Sequence, residues 1–511
     1  MKKFFSMAVI LAVLLTVSIP SLVCAYENSD TEDFRGVWVS TVLNLDYPSS
    51  PTTDPTKLKA EIDKTVERFA KLGFNTIILQ VAPCSDAIYK SDILPWSSFL
   101  TGRQGLGPAD GFDPLEYWVK KCHECSMDIH AWINPYRITK GSCTYDKLAK
   151  NHPAVLHPSW IVKYSDNNYY YNPGLPEVRD HICSIVRELV SNYDIDGIHM
   201  DDYFYPGRDF NDEEQYLRYN NGQFSNIGDW RRNNVNMMVK RVYDTVHSIR
   251  DDVVFGISPA GIWDNKSTNP RGSDTNGGSS YSTQYADSLK WVEEEWIDYI
   301  IPQIYWEFGA KISDFKILND WWSDAVAGTD VKLYIGMADY RTYEAGVDSV
   351  WYKGKEIKKQ MLYNKSQPNV AGEAHFRAGL IDLCPDLCGI IYEQYLRDVT
   401  VKLNNKLIEF DQKPVIVNDR TLVPMRKVFE AYGFSVDWDS KLRMVTAVRG
   451  SDVVKMTIGT SYFTLNNVKY YTDVPVCIMG DRTMLPLRAL SESLRCNVEW
   501  NPYLRQVIIE M

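Results

Sequence analysis

The chain alternates strand-like and helix-like segments over most of its length, and this order constrains the fold more than any other feature. Between about residues 34 and 397, short apolar and β-branched runs alternate eight times with amphipathic stretches of helical periodicity. Eight such units pair their strands in parallel and close into a barrel. The sequence therefore predicts an α/β fold, a (β/α)8 TIM barrel, over residues 33–398. The predicted strands span residues 36–42, 76–83, 129–135, 197–201, 253–259, 299–305, 332–338 and about 372–376. The clearest predicted helices span residues 57–72, 114–125, 176–193, 235–250, 285–296 and 347–363.

Four long connections follow the carboxyl ends of predicted strands, at residues 84–111, 137–172, 207–233 and 261–282. In a parallel barrel these connections gather at one face, and active sites of this fold lie there. Connections of this length in a compact domain generally have a binding or catalytic role. We therefore expect the functional site at the carboxyl face of the barrel.

After Arg397 the pattern changes to short strands with tight turns, and residues 399–511 contain an internal repeat. Residues 414–426 match residues 475–488, and Val-Asp-Trp at 436–438 matches Val-Glu-Trp at 498–500, at a main offset of 62 residues. Two units of strand, turn, helix and strand predict one small α+β module. An Asp-Arg-Thr sequence recurs in both units, which predicts that the Asp-Arg pair fixes a turn at the start of a helix.

The first 25 residues predict a secretory signal peptide. Lys2 and Lys3 precede an apolar run over residues 7–17, and cleavage is expected after Ala25. The run is too short for a comfortable membrane span, and no later stretch reaches about 20 apolar residues. We therefore expect a secreted, extracellular protein with no membrane span.

Charge and cysteine usage exclude two other classes of function. The formal net charge of −11 argues against nucleic acid as a partner and favours a soluble enzyme with a neutral or modestly charged substrate. Nine cysteines follow the signal segment, but none stands in two matching halves at zinc-ligand spacing. We expect no cofactor and no metal ion.

The segment 195–206 is the strongest candidate for chemistry. Alternate residues of a strand face opposite sides, so Ile198 and Met200 face the helices, and His199 and Asp201 face the lumen. Asp202 follows at the tip of the strand. Glycosidases generally use two carboxyl groups, and two adjacent carboxylates repel each other, which raises one pKa and suits an acid. We therefore predict Asp201 and Asp202 as the catalytic residues.

Other strand ends supply polar and aromatic side chains that are predicted to converge on the same face and bind a polysaccharide substrate. These candidate substrate-binding residues are Gln80, Asp86, His130, Trp132, Asn134, Arg137, His199, Tyr203, Tyr205, Trp263, Gln303, Tyr305, Trp306 and Glu307.

The residues alone leave the second catalytic group open. Glu307, Asp264, Asp339 and Asp86 all stand near strand ends as possible distant partners. A substrate with 2-acetamido groups offers another route, because its own carbonyl can act as the nucleophile beside an acid and an orienting carboxylate. A zinc site of His130, His199 and Asp201 is a third reading, and no HExxH motif supports it.

Several motifs taken together resemble the glycosyl hydrolase-like family ten over roughly residues 33–398. They are Phe34-Arg-Gly-Val-Trp-Val-Ser40, Leu94-Pro-Trp-Ser97 with Leu100-Thr-Gly102, His130-Ala-Trp-Ile-Asn-Pro-Tyr-Arg137, Asp196-Gly-Ile-His-Met-Asp-Asp-Tyr-Phe-Tyr-Pro206, Ile257-Ser-Pro259 with Gly261-Ile-Trp263, and Pro302-Gln-Ile-Tyr-Trp306.

This resemblance implies a (β/α)8 barrel, bacterial export and hydrolysis of glycans, including peptidoglycan strands already stripped of peptides. The fourth-strand motif also looks like that of the α-amylase superfamily, which implies that Asp201 is the nucleophile. Ala82 stands where the family pattern has Arg, and Asp264 where a basic residue is common, and both bear on the charge of the substrate. A non-catalytic glycan-binding wall protein and an α-glucan hydrolase are the alternative functions.

The repeat from about Val401 to Met511 resembles the module named after the N-terminal domain of copper amine oxidases. The resemblance implies attachment to the cell wall or binding of its glycan. No histidine stands in this region, so the name does not imply a copper site here.

Overall fold

A computed structural model of the chain describes residues 33–395, 398–417, 420–502 and 504–511. The predicted signal segment, residues 1–25, lies outside the described residues. Within those residues, no helix combines the length and the hydropathy needed to cross a bilayer.

Eight parallel strands close into a barrel in which each strand pairs with the next along the chain and the last pairs with the first. The predicted TIM barrel is confirmed. The strands are β1 (Phe34–Val39), β2 (Thr76–Ala82), β3 (Asp128–Ile133), β4 (Gly197–Met200), β5 (Val254–Ile257), β6 (Tyr299–Ile300), β7 (Lys332–Met337) and β8 (Val370–His375).

A helix follows each barrel strand, and two of these helices begin at an Asp-Pro pair. Asp54 and Asp113 each accept a hydrogen bond from a backbone N–H of the first turn, and proline supplies a favourable first helical residue. The helices are α1 (Pro55–Leu72), α2 (Pro114–Glu124), α3 (Pro176–Asn192), α4 (Ile227–His247), α5 (Ser288–Glu293), α6 (Phe315–Ala325), α7 (Lys355–Asn364) and α8 (Pro385–Tyr395).

The connections carry shorter elements. One antiparallel hairpin, formed by Ile161–Lys163 and Tyr169–Tyr171, lies between β3 and α3. Short α-helices span Ser98–Thr101, Pro153–Leu156, Glu213–Tyr219, Ser280–Thr283, Tyr340–Glu344 and Ala378–Ile381.

Side chains fill the lumen of the barrel, so a substrate has to bind above it. Phe34, Trp38, Trp132 and Tyr299 belong to one buried cluster inside the strands. Glycines on β4 and β5 leave room for neighbouring rings: a Cβ at Gly197 would lie 2.7 Å from the ring of His130, and a Cβ at Gly256 would lie 2.1 Å from the ring of Tyr299. Packed lumen residues of this kind are typical of the TIM barrel, whose sites lie at its carboxyl rim.

The residues from Thr400 onward form strand-rich sheets with two seven-residue helices, Met425–Ala431 and Leu487–Ser493, one in each repeat. The strands are Thr400–Leu403, Lys406–Leu407, Val415–Val417, Arg420–Pro424, Ser435–Asp439, Met444–Arg449, Asp452–Thr457, Tyr462–Leu465, Val468–Tyr471, Cys477–Met479, Arg482–Pro486, Asn497–Asn501 and Gln506–Glu510.

The predicted turn of the Asp-Arg pair lies elsewhere than expected. Met479 pairs with Arg482 across a hairpin, and Gly480 and Asp481 have φ angles of 46° and 62° in the two-residue turn between them. Two positive φ angles match the twist of the flanking strands and favour glycine and aspartate. The pair therefore closes a β-hairpin, and the helix starts only after the strand that follows.

Candidate active site

Asp201 and Asp202 lie at the carboxyl end of β4, where the chain leaves the barrel. Asp201 continues the lumen-facing side of the strand and is 4% exposed. Asp202 is partly exposed, and the next residue, Tyr203, is 48% exposed. The acidic pair thus passes from the top of the packed lumen to the open rim.

Two hydrogen bonds hold the carboxylate of Asp201. Asn134 Nδ2 donates to Asp201 Oδ2 at 2.5 Å, and the backbone N–H of Tyr203 donates to Asp201 Oδ1 at 3.1 Å. Asn134 follows β3, so neighbouring strands place the two side chains together. Both oxygens of Asp201 are therefore fixed, and its orientation is set before any ligand binds.

A relay of side chains fixes the orientation of Asn134. Gln80 Oε1 accepts from the backbone N–H groups of Thr41 and Val42 at 3.0 and 2.9 Å, which turns Gln80 Nε2 toward Asn134 Oδ1 at 2.6 Å. Arg137 Nη2 also donates to Asn134 Oδ1, at 2.7 Å. Because its oxygen receives two donors, Asn134 presents its amide nitrogen to Asp201.

Two glutamines hold Asp202. Gln303 Nε2 donates to Asp202 Oδ1 and Gln284 Nε2 donates to Asp202 Oδ2, each at 3.2 Å. Gln303 was predicted from the end of β6. Gln284 was not predicted, because it lies in the long connection after β5, where neither strand periodicity nor a motif marks it.

Burial and mutual repulsion both act on the acidic pair. The pKa of Asp201 is raised to about 7, chiefly because burial disfavours its charge and next because of the charge on Asp202, while Arg137, Tyr203 N–H and Asn134 lower it. Burial also raises the pKa of Asp202, against the hydrogen bonds from Gln303 and Gln284. The pair can therefore hold a proton at neutral pH, as a general acid must.

His130 and His199 lie below the acidic pair inside the lumen. The hydroxyl of Tyr299 bridges them, at 2.8 Å from His130 Nδ1 and 3.0 Å from His199 Nδ1. Trp38 Nε1 donates to His199 Nε2 at 3.3 Å, which places the proton of His199 on Nδ1. Burial lowers the pKa of His130 to about 4 and that of His199 well below its usual value. Both rings are neutral supports of the lumen rather than contacts for a substrate.

Several other predicted substrate contacts are buried. Asp86 accepts from Cys84 N–H and Gln104 Nε2 at 3.1 and 3.0 Å, inside its own loop. Tyr205 packs under the guanidinium of Arg231. We place these side chains and Gln80 beneath the site as supports. Trp263 is also buried, with its indole N–H on Asp287, and Trp132 is 5% exposed.

The rim is formed by the accessible candidates. Tyr203 lies over the guanidinium of Arg137, whose carbon is 5.1 Å from the centre of the ring. Tyr305, Trp306 and Glu307 follow β6 and are all partly exposed. The side chains of Tyr203, Tyr305, Trp306 and Glu307, together with Asp202 and Gln303, are the ones that a glycan over the barrel could contact. Arg137, a predicted contact, is 4% exposed and lies beneath Tyr203.

The four candidates for a distant second carboxylate differ in accessibility. Asp86, Asp264 and Asp339 are buried, and Asp339 is bound to His375 Nδ1 at 2.9 Å. Glu307 keeps a side chain that is 34% exposed, and its Oε2 lies 3.6 Å from Arg341 Nη1. Glu307 is therefore the accessible one of the four.

Within the described ranges, no group of three His, Cys, Asp or Glu side chains is placed to hold a metal ion. His130 and His199 in particular direct their Nδ1 atoms at Tyr299. The zinc reading of His130, His199 and Asp201 therefore has no preformed ligand set among these residues.

Comparisons with known proteins identify the family to which the chain belongs. Residues 33–353 match the family described as Glycosyl hydrolase-like 10, and residues 402–509 match the Copper amine oxidase N-terminal domain. The chain is 42% identical over 379 residues to glycosyl hydrolase YngK of Bacillus subtilis strain 168, covering 73% of this chain and 72% of YngK. It is 40% identical over 376 residues to glycosyl hydrolase DigH of Escherichia coli K12, covering 69% of this chain and 84% of DigH.

One solved structure also aligns with part of the chain. The PgaB (BpsB) glycoside hydrolase domain from Bordetella bronchiseptica aligns with a TM-score of 0.48 and 12% identity, covering 70% of this chain and 98% of that domain. Both family resemblances predicted from the sequence are confirmed by the family matches.

Proposed function

Because the chain belongs to the glycosyl hydrolase-like 10 family and is a glycoside hydrolase, we propose that it cleaves peptidoglycan strands free of peptides, or a related amino-sugar polymer. The observation that carries this proposal is the adjacent pair Asp201 and Asp202, held by Asn134 and two glutamines at the rim of the barrel. We further propose that the protein is exported and acts outside the cell.

Adjacency favours an amino sugar as the substrate. Two carboxylates that act on opposite sides of a glycosidic bond stand about 5 Å or more apart, facing each other across it. Asp201 and Asp202 instead leave the same strand end side by side, which suits an acid beside an orienting carboxylate. The missing nucleophile is then the 2-acetamido carbonyl of the substrate.

The reaction follows in two steps. The acetamido oxygen forms a bond to the anomeric carbon while the bond to the leaving oxygen breaks, and that oxygen takes the proton held by the aspartate pair. Water then attacks the anomeric carbon of the cyclic intermediate, the bond from that carbon to the acetamido oxygen breaks and restores the acetamide, and the proton lost by the water returns to the pair. Gln284 and Gln303 keep Asp202 in place during both steps.

Removal of the N-acetyl groups is expected to stop cleavage. Chemically N-deacetylated glycan strands lack the internal nucleophile, so their hydrolysis should fall by about 100-fold or more relative to acetylated strands of the same length. Release of new reducing ends measures the difference. Re-acetylated strands are the matched control and should be cut again.

The same assay separates the alternatives. Equal cleavage of deacetylated and acetylated strands would assign the nucleophile to a distant carboxylate, with Glu307 as the accessible candidate. Soluble starch should release no reducing ends, and its cleavage would instead favour an α-glucan hydrolase. Absence of cleavage of any glycan strand would favour the alternative of a non-catalytic glycan-binding protein.

The pH dependence follows from the shared proton. The raised pKa of Asp201, about 7, keeps the pair protonated up to neutrality, so kcat/KM should decline as the pH rises through about 7. Arg137 lowers this pKa, so Arg137→Gln should move the alkaline limb to higher pH. Initial rates on glycan strands between pH 5 and 9 measure both effects.

Arg103→Gln is the matched control for this shift. Arg103 is exposed in the connection after β2, so its substitution removes the same charge at a position outside the acidic pair's hydrogen-bond network. Its alkaline limb should coincide with that of the wild type. Rates that keep rising above pH 8 in the wild type would contradict a protonated pair and favour an ionised nucleophile.

For the C-terminal module, we propose a role in holding the enzyme on cell-wall glycan. The motif repeat and the family match of residues 402–509 support this role.

A further inference from the structure

The C-terminal module contains two clefts of similar construction, with volumes of about 470 and 680 Å³. Most residues that line one cleft have a counterpart in the repeat, 62 positions away, that lines the other. The first cleft is lined by Pro424, Met425, Arg426, Val436, Trp438 and Val445, and the second by Pro486, Leu487, Arg488, Val498, Trp500 and Val507.

The pairing of two strands explains why the clefts are equivalent. Arg420–Pro424 of the first repeat runs antiparallel to Arg482–Pro486 of the second, with Val423 opposite Leu485. These two residues are 62 positions apart and equivalent in the repeat, so a local twofold axis passes between them. Each cleft therefore combines the helix and Trp strand of one repeat with the hairpin of the other.

An indole ring lines each cleft. Trp438 is 37% exposed and lies on Ser435–Asp439, opposite Val445. Trp500 occupies the same place on Asn497–Asn501, is partly exposed, and lies opposite Val507. A flat indole face held on a strand can stack against the C–H surface of a sugar ring.

Arginines accompany each ring at equivalent places. Arg482 binds Asp411 and Arg420 binds Asp473, both through Nε at 2.8 and 2.7 Å, which holds one guanidinium at each cleft. Arg426 is exposed and makes no hydrogen bond or ion pair within the described chain. Arg488, its counterpart, is 3.5 Å from Glu492 and is 53% exposed.

Charge separates the module from the rest of the chain. Residues 399–511 hold 15 Lys and Arg against 12 Asp and Glu, a net charge of +3. The whole chain has −11, so residues 1–398 carry −14. An acidic polymer is therefore attracted more strongly to the module than to the remainder.

We infer that the two clefts are paired binding sites for an acidic polysaccharide, each taking one sugar ring on its tryptophan and one carboxylate or phosphate on its arginines. This inference deepens the wall-binding role proposed above. A guanidinium binds either anion in a bidentate way. A polymer with repeated acidic units can occupy both clefts of one module, which raises its affinity through effective concentration.

Binding of full-length protein to soluble polymers tests this inference. Asp201→Asn is used as the background so that the polymer stays intact, and affinity is measured by calorimetry. Arg426→Gln and Arg488→Gln should each weaken binding by about tenfold, and the double variant by about 100-fold. Trp438→Ala and Trp500→Ala should act in the same direction.

The double variant Lys441→Gln, Lys455→Gln is the matched control. Both lysines are exposed and lie outside the two clefts, and their substitution removes two positive charges, as the arginine double variant does. This control should bind within about twofold of the background, because salt screens exposed charges that lie outside the clefts. The arginine double variant with Asp201 restored should still cut short soluble fragments, which shows that its barrel is intact.

The polymers distinguish the source of the acidic group. Peptide-free glycan strands present carboxylates, a poly(glycerol phosphate) teichoic acid presents phosphates, and chitin oligosaccharides present neutral amino sugars. If the cleft variants lose affinity for one of the two acidic polymers, the inference is supported, and that polymer identifies the acidic group as a carboxylate or a phosphate. If the cleft variants lose as much affinity for chitin oligosaccharides as for the acidic polymers, the preference for acidic polymers is overturned. If the cleft variants bind every polymer as well as the lysine control does, the assignment of the clefts as binding sites is overturned. Strand cleavage without any cleft-dependent binding overturns the inference and leaves the hydrolase proposal standing.

Discussion

Asp201→Asn should abolish the release of reducing ends from peptide-free glycan strands, with turnover lowered by about 10³-fold or more. Asparagine has the size of aspartate and can keep an oxygen acceptor for Asn134 Nδ2 or Tyr203 N–H. It neither ionises nor gives up a proton, so the pair loses its acid–base function. Binding of the strands should survive, because the rim side chains are unchanged.

Asp194→Asn is the matched control for this loss. Asp194 stands before β4 at its amino end, with a side chain that is 76% exposed. Its substitution removes the same charge from the opposite end of the strand and should leave turnover within about twofold, as for most exposed positions. Wild-type turnover in Asp201→Asn would remove Asp201 from the mechanism.

The barrel was predictable because its signal is repeated and local. Alternation of apolar residues along β4 correctly predicted which side chains face the helices and which face the lumen. Ile198 and Met200 are buried among the helices, and His199 lies in the lumen. The helix α6 is absent from the clearest sequence predictions, and α5 is shorter than residues 285–296. Periodicity over so few turns is a weak signal.

The acidic pair was predictable and its support was only partly so. Parity along β3 and β4 places Asn134 and Asp201 on the same side, which the structure shows as a direct hydrogen bond. Parity does not say how deep a side chain lies, so His130 and Gln80 were expected at the rim and lie beneath it. Gln284 could not be found at all, because a loop brings it to Asp202 from 82 positions away.

The segment after Asp202 is held by one buried arginine. Arg231, on α4, is 3% exposed, and its guanidinium reaches the carbonyl oxygens of Arg208 and Phe210 at 2.7 and 2.6 Å. The same group donates to Tyr285 OH and to the carboxylate of Asp212, which is fully buried. The guanidinium thus ties the connection that follows β4 to the helix α4.

Arg231→Met is therefore expected to lower the free energy of unfolding of the barrel by about 3–5 kcal/mol, because it leaves the Asp212 carboxylate buried without its partner. The carbonyl oxygens of Arg208 and Phe210 also lose their donor, so the connection after β4 should become more mobile. Hydrolysis of glycan strands should then decrease together with the stability of the barrel. Urea unfolding followed by tryptophan fluorescence measures the change.

Arg241→Met on the same helix is the control. Arg241 and Asp180 are exposed by 47% and 63%, so the loss of unfolding free energy should stay below about 1 kcal/mol. Equal midpoints for the two variants would show that Arg231 does not hold this connection.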